Sequence, residues 1–157
     1  MRMYEKLNSL KKRLQQMKQN RTIRQNGQTF HFSPFSKKQK QVLTWWCKES
    51  PVHDKDGIIA DGAIRSGKTV SMSLSFVMWA MSSFAGQNFA MCGKTIGSFR
   101  RNVLFWLKLM LRSRGYSITD HRADNLVVVR KNSIENYFYI FGGKDERSQD
   151  LIQGITL

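Results

Sequence analysis

Gly62-Ala63-Ile64-Arg65-Ser66-Gly67-Lys68-Thr69 is the stretch on which the reading of this chain turns. It has the spacing G-x-x-x-x-G-K-[ST], in which backbone N–H groups curl around a phosphate. Side chains at the points of close approach would block that curl. Gly62 and Gly67 leave room where the loop turns and where backbone nears a phosphate oxygen. Lys68 supplies a point charge for the β- and γ-phosphates of a nucleotide, and the Thr69 hydroxyl is placed to hold Mg²⁺. Ala63, Ile64, Arg65 and Ser66 contribute the backbone between the two glycines.

The flanks agree with that reading. Asp54-Lys55-Asp56-Gly57 marks a turn, and Gly57-Ile58-Ile59-Ala60-Asp61 then reads as a short buried strand. Behind the loop, Val70 to Phe84 carries Met72, Phe76, Val77, Ala80, Met81 and Phe84 at helical spacing. Strand, loop and helix in this order aim a helix N-terminus, with its positive dipole end, at an anion.

Upstream, Ser36 can N-cap a helix that buries Val42, Leu43, Trp45 and Trp46 and ends before Pro51. A glutamine placed ahead of a phosphate loop, behind an aromatic residue, suits an adenine: its amide can donate to N7 and accept from the exocyclic amine. Gln39, with Phe35 near it, is that candidate; a solvated helix face is the other reading, and Gln41 fits it as well. Residues 20–34 read as a linker with one extended piece, Thr29–Phe32, and a tight turn at Asn26-Gly27. Residues 1–20 read as a basic helix with Met3, Leu7, Leu10, Leu14 and Met17 in a narrow stripe. The chain therefore divides into a basic helical arm and linker, 1–34, and a partial ATPase domain, 35–157.

Downstream, Asn88–Gly93 is a second buried strand candidate. A long helix follows, with Ser98 as N-cap and Gly115 at its stop. Its run Val103–Leu111 is apolar nearly all round, which asks for cover on both sides. Arg100 and Arg101 oppose the dipole at the helix start and point to an anion or an acidic partner, whereas Arg112 and Arg114 suit its end. Tyr116–Ile118, Leu126–Arg130 and Glu135–Phe141 read as strands, the last two joined as a hairpin by Lys131-Asn132-Ser133.

The charge balance narrows the partners. Lys plus Arg number 26 against 11 Asp plus Glu in 157 residues, a formal net charge of +15. Such an excess favours a polyanion, nucleic acid before an anionic membrane; a basic chain whose acidic half lies elsewhere is the alternative. The two cysteines, Cys47 and Cys92, are far apart and without C-x-x-C spacing, which argues for a reducing compartment and against a zinc site. His31, His53 and His121 share no ligand spacing. The N-terminus has no apolar leader and no apolar run approaches membrane-spanning length, so the expectation is a soluble protein inside the cell.

A nucleotide hydrolase of this kind also needs an acidic pair at the end of a neighbouring strand, one carboxylate to orient Mg²⁺ and a Glu to activate water. Asp145-Glu146 is the nearest pair, but Gly142-Gly143-Lys144 separate it from the apolar run ending at Phe141. A solvated loop is the plainer reading of those two acids.

Taken together, Phe35-Ser36-Lys37-Lys38-Gln39, the loop Gly62–Thr69, and Phe141-Gly142-Gly143-Lys144-Asp145-Glu146 followed by Ile152-Gln153-Gly154-Ile155-Thr156-Leu157 resemble the N-terminal ATPase region of the large terminase subunit of tailed phages, the type found in Gram-positive prophages. The resemblance spans residues 30 to 157. It implies an α/β fold with a P-loop NTPase (ASCE/RecA-like) parallel-sheet core. That core is incomplete here, carrying the basic N-terminal helix and a late antiparallel strand pair, because the sequence stops where the Walker B strand should begin. It implies an ATP- and Mg²⁺-dependent motor in the host cytoplasm at the procapsid. Its partners would be double-stranded DNA, a small terminase subunit and a portal protein, with self-assembly when full length and no membrane. It gives Arg65, inside the loop, a contact to the phosphates beside Lys68. Two other classes stay open: a non-catalytic nucleotide- or DNA-binding module, and a P-loop helicase-like ATPase.

Overall fold

A computed structural model describes residues 22–25, 28–31 and 34–143, with backbone alone for those before 34. The proposed basic helix of residues 1–20, the acids Asp145 and Glu146, and the run Ile152–Leu157 lie outside the described residues. The chain divides into two units, Met1–Pro34 and Phe35–Leu157.

In the first unit, β1 (Thr22–Gln25) and β2 (Gln28–His31) pair antiparallel, with Gln25 opposite Gln28. The stretch that reads as a linker therefore holds two paired strands, the first of which the sequence pattern does not announce; the expected turn at Asn26-Gly27 lies outside the described residues. Thr22-Ile23-Arg24-Gln25 carries only one large apolar residue, so the period-two signal is almost blank.

The second unit begins with α1 (Lys37–Leu43). Ser36 and Gln39 form a capping box: Ser36 Oγ accepts from Gln39 N at 3.3 Å, and Gln39 Oε1 accepts from Ser36 N at 2.9 Å. The helix stops earlier than expected, at Thr44, and buries only Leu43. Trp45 packs on Trp79 with ring centroids 6.1 Å apart, and Ser75 Oγ donates to Val42 O at 2.6 Å, which ties α1 to the long helix α2 (Lys68–Ser83).

Four strands form one sheet in the order β3 (Asn88–Gly93), β6 (Ile134–Gly142), β5 (Leu126–Lys131), β4 (Ser117–His121). Only β3 and β6 run parallel; β6–β5 and β5–β4 are antiparallel. Among the described residues the sheet is thus mixed, one parallel pair beside an antiparallel meander of three strands where the sequence suggests a pair. Lys131 sits opposite Ile134, and Asn132 takes a φ of +54° to close the hairpin. The expected buried strand Gly57–Asp61 is no strand, and Ile59 is 98% exposed. An apolar run becomes a strand only by finding a neighbour for its backbone, and none of the described strands pairs with it.

Between β3 and β4 the chain crosses over through α3 (Ile96–Phe99), a π-helical segment Arg100–Leu104, and α4 (Phe105–Arg112). Thr95, not Ser98, is the N-cap, its hydroxyl accepting from Ser98 N at 3.1 Å. Ser98 instead donates back to Thr95 O. At the far end Gly115, at φ +80°, completes a Schellman stop: Tyr116 N reaches Leu111 O at 3.1 Å and Gly115 N reaches Arg112 O at 3.0 Å. Leu104, Leu107, Leu109, Met110 and Leu111 are buried, while Phe105 and Trp106 keep substantial exposure.

The register places both long helices on one face of the sheet. Phe89 lies opposite Phe138 and stacks on it at 5.2 Å; Phe138 in turn meets Phe76 of α2 edge-on at 6.1 Å. Asp120, opposite Val127 in the same row of positions, receives Arg100 at 2.6 Å and Lys108 at 2.7 Å. The anion expected for Arg100 is therefore the chain's own Asp120. Eight residues of regular α-helix end about 80° beyond two full turns; the wider π segment takes up that offset and brings Arg100 and Lys108 to one side.

Candidate functional site

The loop that opens α2 is bent as the glycine spacing requires. Gly62 stands at φ +140° and Gly67 at φ +80°, the latter as the left-handed N-cap of α2. Between them Ser66 N donates to Ala63 O at 3.4 Å, closing a turn in which Arg65 is forced to φ +66°. A left-handed arginine costs on the order of 1 kcal/mol. Strain of that kind persists only where the surroundings over-determine it.

Lys68 turns its ammonium into the loop. Nζ donates to Gly62 O at 2.6 Å, to Ala63 O at 2.7 Å and to Ser66 Oγ at 3.3 Å, so its three hydrogens meet three loop acceptors. This is the charge a phosphate tail would meet. Asp61 fixes the loop's entry, its Oδ1 accepting from Gly62 N at 2.7 Å. Sequence reasoning takes Asp61 for a strand residue and misses this role; an aspartate directly before a glycine at a turn is the signal that could have found it.

Gln39 arrives from α1. Its Nε2 donates to Ser66 O at 2.9 Å while its Oε1 stays on Ser36 N. The residue read from sequence as an adenine contact thus touches the Gly62–Thr69 loop itself, and Phe35 beside it is half-buried. A cavity of about 590 Å³ runs between α1 and the loop, walled by Val42, Trp45, Val52 and Ile58 and bordered by Gln39, Asp61 and Lys68. Lys38, Gln41 and Val42 share one helical face toward it, and Trp45 follows just past the helix end. An apolar slot with a few polar groups at one end is the usual form of a small-molecule site.

Thr69 points to the other side of α2. It lines a second hollow of about 400 Å³ with Ser73, Cys92, Lys94 and Asn102. Lys68 and Thr69, adjacent in sequence, therefore serve different sides of the loop. Thr69 offers one hard hydroxyl oxygen suited to Mg²⁺, with phosphate oxygens and water left to supply the rest. Among the described residues no cluster of three or more His, Cys, Asp or Glu could hold a metal ion. Among them, too, no helix is long and apolar enough to cross a membrane.

The chain is similar to solved structures of a large terminase from a thermophilic bacteriophage. One crystal form of that terminase is 67% identical, with a TM-score of 0.77 over 80% of this chain and 31% of that one. The same phage's large terminase in complex with ADP is 66% identical, with a TM-score of 0.74 over 78% of this chain and 30% of that one. In complex with ATP-gamma-S it is 62% identical, with a TM-score of 0.72 over 79% and 29%. The chain spans under a third of the length of these relatives. No family model and no curated protein matches it.

Proposed function

We propose that the chain, similar to a bacteriophage large terminase over 80% of its own length, is the ATP-binding part of a viral DNA-packaging motor. The backbone of Gly62–Thr69 cradles the phosphates. Lys68 exchanges its hold on Gly62 O and Ala63 O for the β- and γ-phosphate oxygens, and Arg65 approaches them from the turn. The Thr69 hydroxyl would hold Mg²⁺, which would supply charge stabilisation at the phosphoryl oxygens. The base lies in the slot between α1 and the loop, within reach of the free lone pair and second hydrogen of Gln39. The core completes as a P-loop NTPase of the ASCE/RecA-like kind. The net charge of +15 suits double-stranded DNA. A small terminase subunit, a portal protein and further copies of the chain are the remaining partners, at the procapsid in the host cytoplasm.

One observation carries this: an ammonium held inside a glycine-bent loop at the start of a helix, on a chain 62% identical to a protein solved with ATP-gamma-S. The test is calorimetric titration of the chain with ATP and Mg²⁺, beside Lys68→Ala. Losing a charge-assisted contact should weaken binding roughly ten- to a hundredfold. Equal affinity of the two proteins would sink the proposal.

A further inference from the structure

Behind the base slot lies a second chamber of about 270 Å³. Trp45 and Ile58 line both spaces, so one ring and one isoleucine form the partition between them. α2 supplies the rear wall: Met72, Ser75, Phe76 and Trp79 fall on one helical face. Trp79 stands 6.1 Å from Trp45 and 5.9 Å from Phe76, centroid to centroid, so three aromatic rings bound the chamber in series.

The chemistry of that wall selects its guest. Ser75 is buried, and its hydroxyl hydrogen is committed to Val42 O at 2.6 Å. Asp56 is the one ionisable residue of the lining, and a carboxylate turns phosphate away. What remains rewards an apolar, flat group that meets aromatic walls edge-on or offset. A dry apolar cavity of roughly 150 Å³ already accepts a benzene ring, so the volume suffices for one ring.

We infer that the base slot continues past Trp45 and Ile58 into this chamber, and that the site takes purine nucleotides enlarged by one planar apolar ring on the base. This rests on the nucleotide reading above and deepens it, naming the size class of base that the site admits. The phosphates stay on the Gly62–Thr69 loop and the added ring enters from the slot. A slot closed at Trp45 would reject such a base.

The experiment titrates the full chain by calorimetry with ATP and with N6-benzyl-ATP, each with Mg²⁺. Burial of the ring should make the benzyl nucleotide bind about three- to thirtyfold more tightly than ATP. Nuclear Overhauser contacts should run from the benzyl protons to the side chains of Phe76 and Trp79. Gly57→Leu tests the location, because Gly57 lines the chamber and not the slot. A Cβ there meets nothing within 4 Å and the backbone is not left-handed, so leucine fits without strain. It should erase the advantage of the benzyl nucleotide and leave ATP binding unchanged. Weaker binding of the benzyl nucleotide than of ATP would overturn the inference. So would an advantage that survives Gly57→Leu, or a bound ring that contacts neither Phe76 nor Trp79. A wild-type chain that binds neither nucleotide would instead refute the nucleotide reading itself.

Discussion

Asn136 donates its side-chain amide to the carbonyl oxygen of Phe84 at 2.9 Å, from near the start of β6 to the C-cap of α2. The same nitrogen reaches Ala80 O at 3.2 Å, and Oδ1 accepts from Gln87 N at 2.9 Å. Asn136 is fully buried, so these bonds replace water that cannot enter. They also give α2 the C-terminal partners that no glycine or basic residue provides in its last turn. Asn136→Ala should cost about 2–4 kcal/mol, read as a shift in urea midpoint, because it strands the backbone groups and leaves a void. A loss within the noise would mean that the helix end finds other partners.

Asp120 gives the chain an acid-sensitive joint. Its loss of solvent pushes the pKa up, but hydrogen bonds from Lys108 and Arg100 outweigh that and hold the carboxyl below its usual range. A depressed folded-state value means that the stabilisation is complete above the unfolded pKa of about 3.9. It fades as pH falls through the lower folded value. Asp120→Asn should therefore destabilise the neutral protein by about 1–3 kcal/mol, the bridge being mostly screened from water. The gap between the two proteins should close on acidification below about pH 4. A gap constant from pH 7 to pH 2 would show that the charge is irrelevant.

Gly67→Ala should be among the harshest single changes in the loop, since the new methyl meets both the φ of +80° and the Gln39 amide. The two penalties are separable by a double-mutant cycle. In a Gln39→Ala background the contact is gone and only the backbone strain of about 1–2 kcal/mol remains, so the two changes should be less than additive. Strict additivity in thermal melts would mean that Gln39 does not occupy the space above Gly67.

Arg65→Gly should pull stability and binding in opposite directions. Relief of the left-handed backbone is expected to stabilise the chain by about 0.5–1 kcal/mol. Removal of the cation should weaken ATP about three- to tenfold, a typical loss for one partly exposed charge contact. If affinity holds while stability rises, Arg65 has no part in holding the phosphates.

DNA binding, if it draws on the net charge of +15, must be strongly salt-dependent. Each phosphate neutralised contributes a slope of about −0.9 to log affinity against log salt. A filter-binding series from low to moderate salt with a flat response would remove DNA from the list of partners.

How far the sequence can be read depends on whether the governing interaction is local. Ser36, Gly67, the Asn132 hairpin and the Gly115 stop each follow from one residue's own conformational demand, and each is legible. The Gly57–Asp61 run misleads because strand formation is a pairwise property: Ile58 and Ile59 have the right composition, but none of the described strands pairs with them. Thr95 displaces Ser98 as N-cap because both are good caps and register with Phe99 and Leu104 decides between them. The π segment is invisible in sequence, since nothing in Arg100–Leu104 announces it and its use is to line up Arg100 with Lys108 on a strand that comes later. At the site, the bend at Gly62 and Gly67 is legible, whereas Asp61 and the hold of Gln39 on Ser66 require knowing what lies opposite.

The cap that Asn136 places on α2 also fixes an order of events during synthesis. The helix emerges 52 positions before the residue that finishes it. Its C-cap lacks this partner until β6 has been made and folded back. The loop end of α2 thus precedes its anchor in the chain, and a nascent chain halted after β4 would carry the loop without the residue that caps its helix.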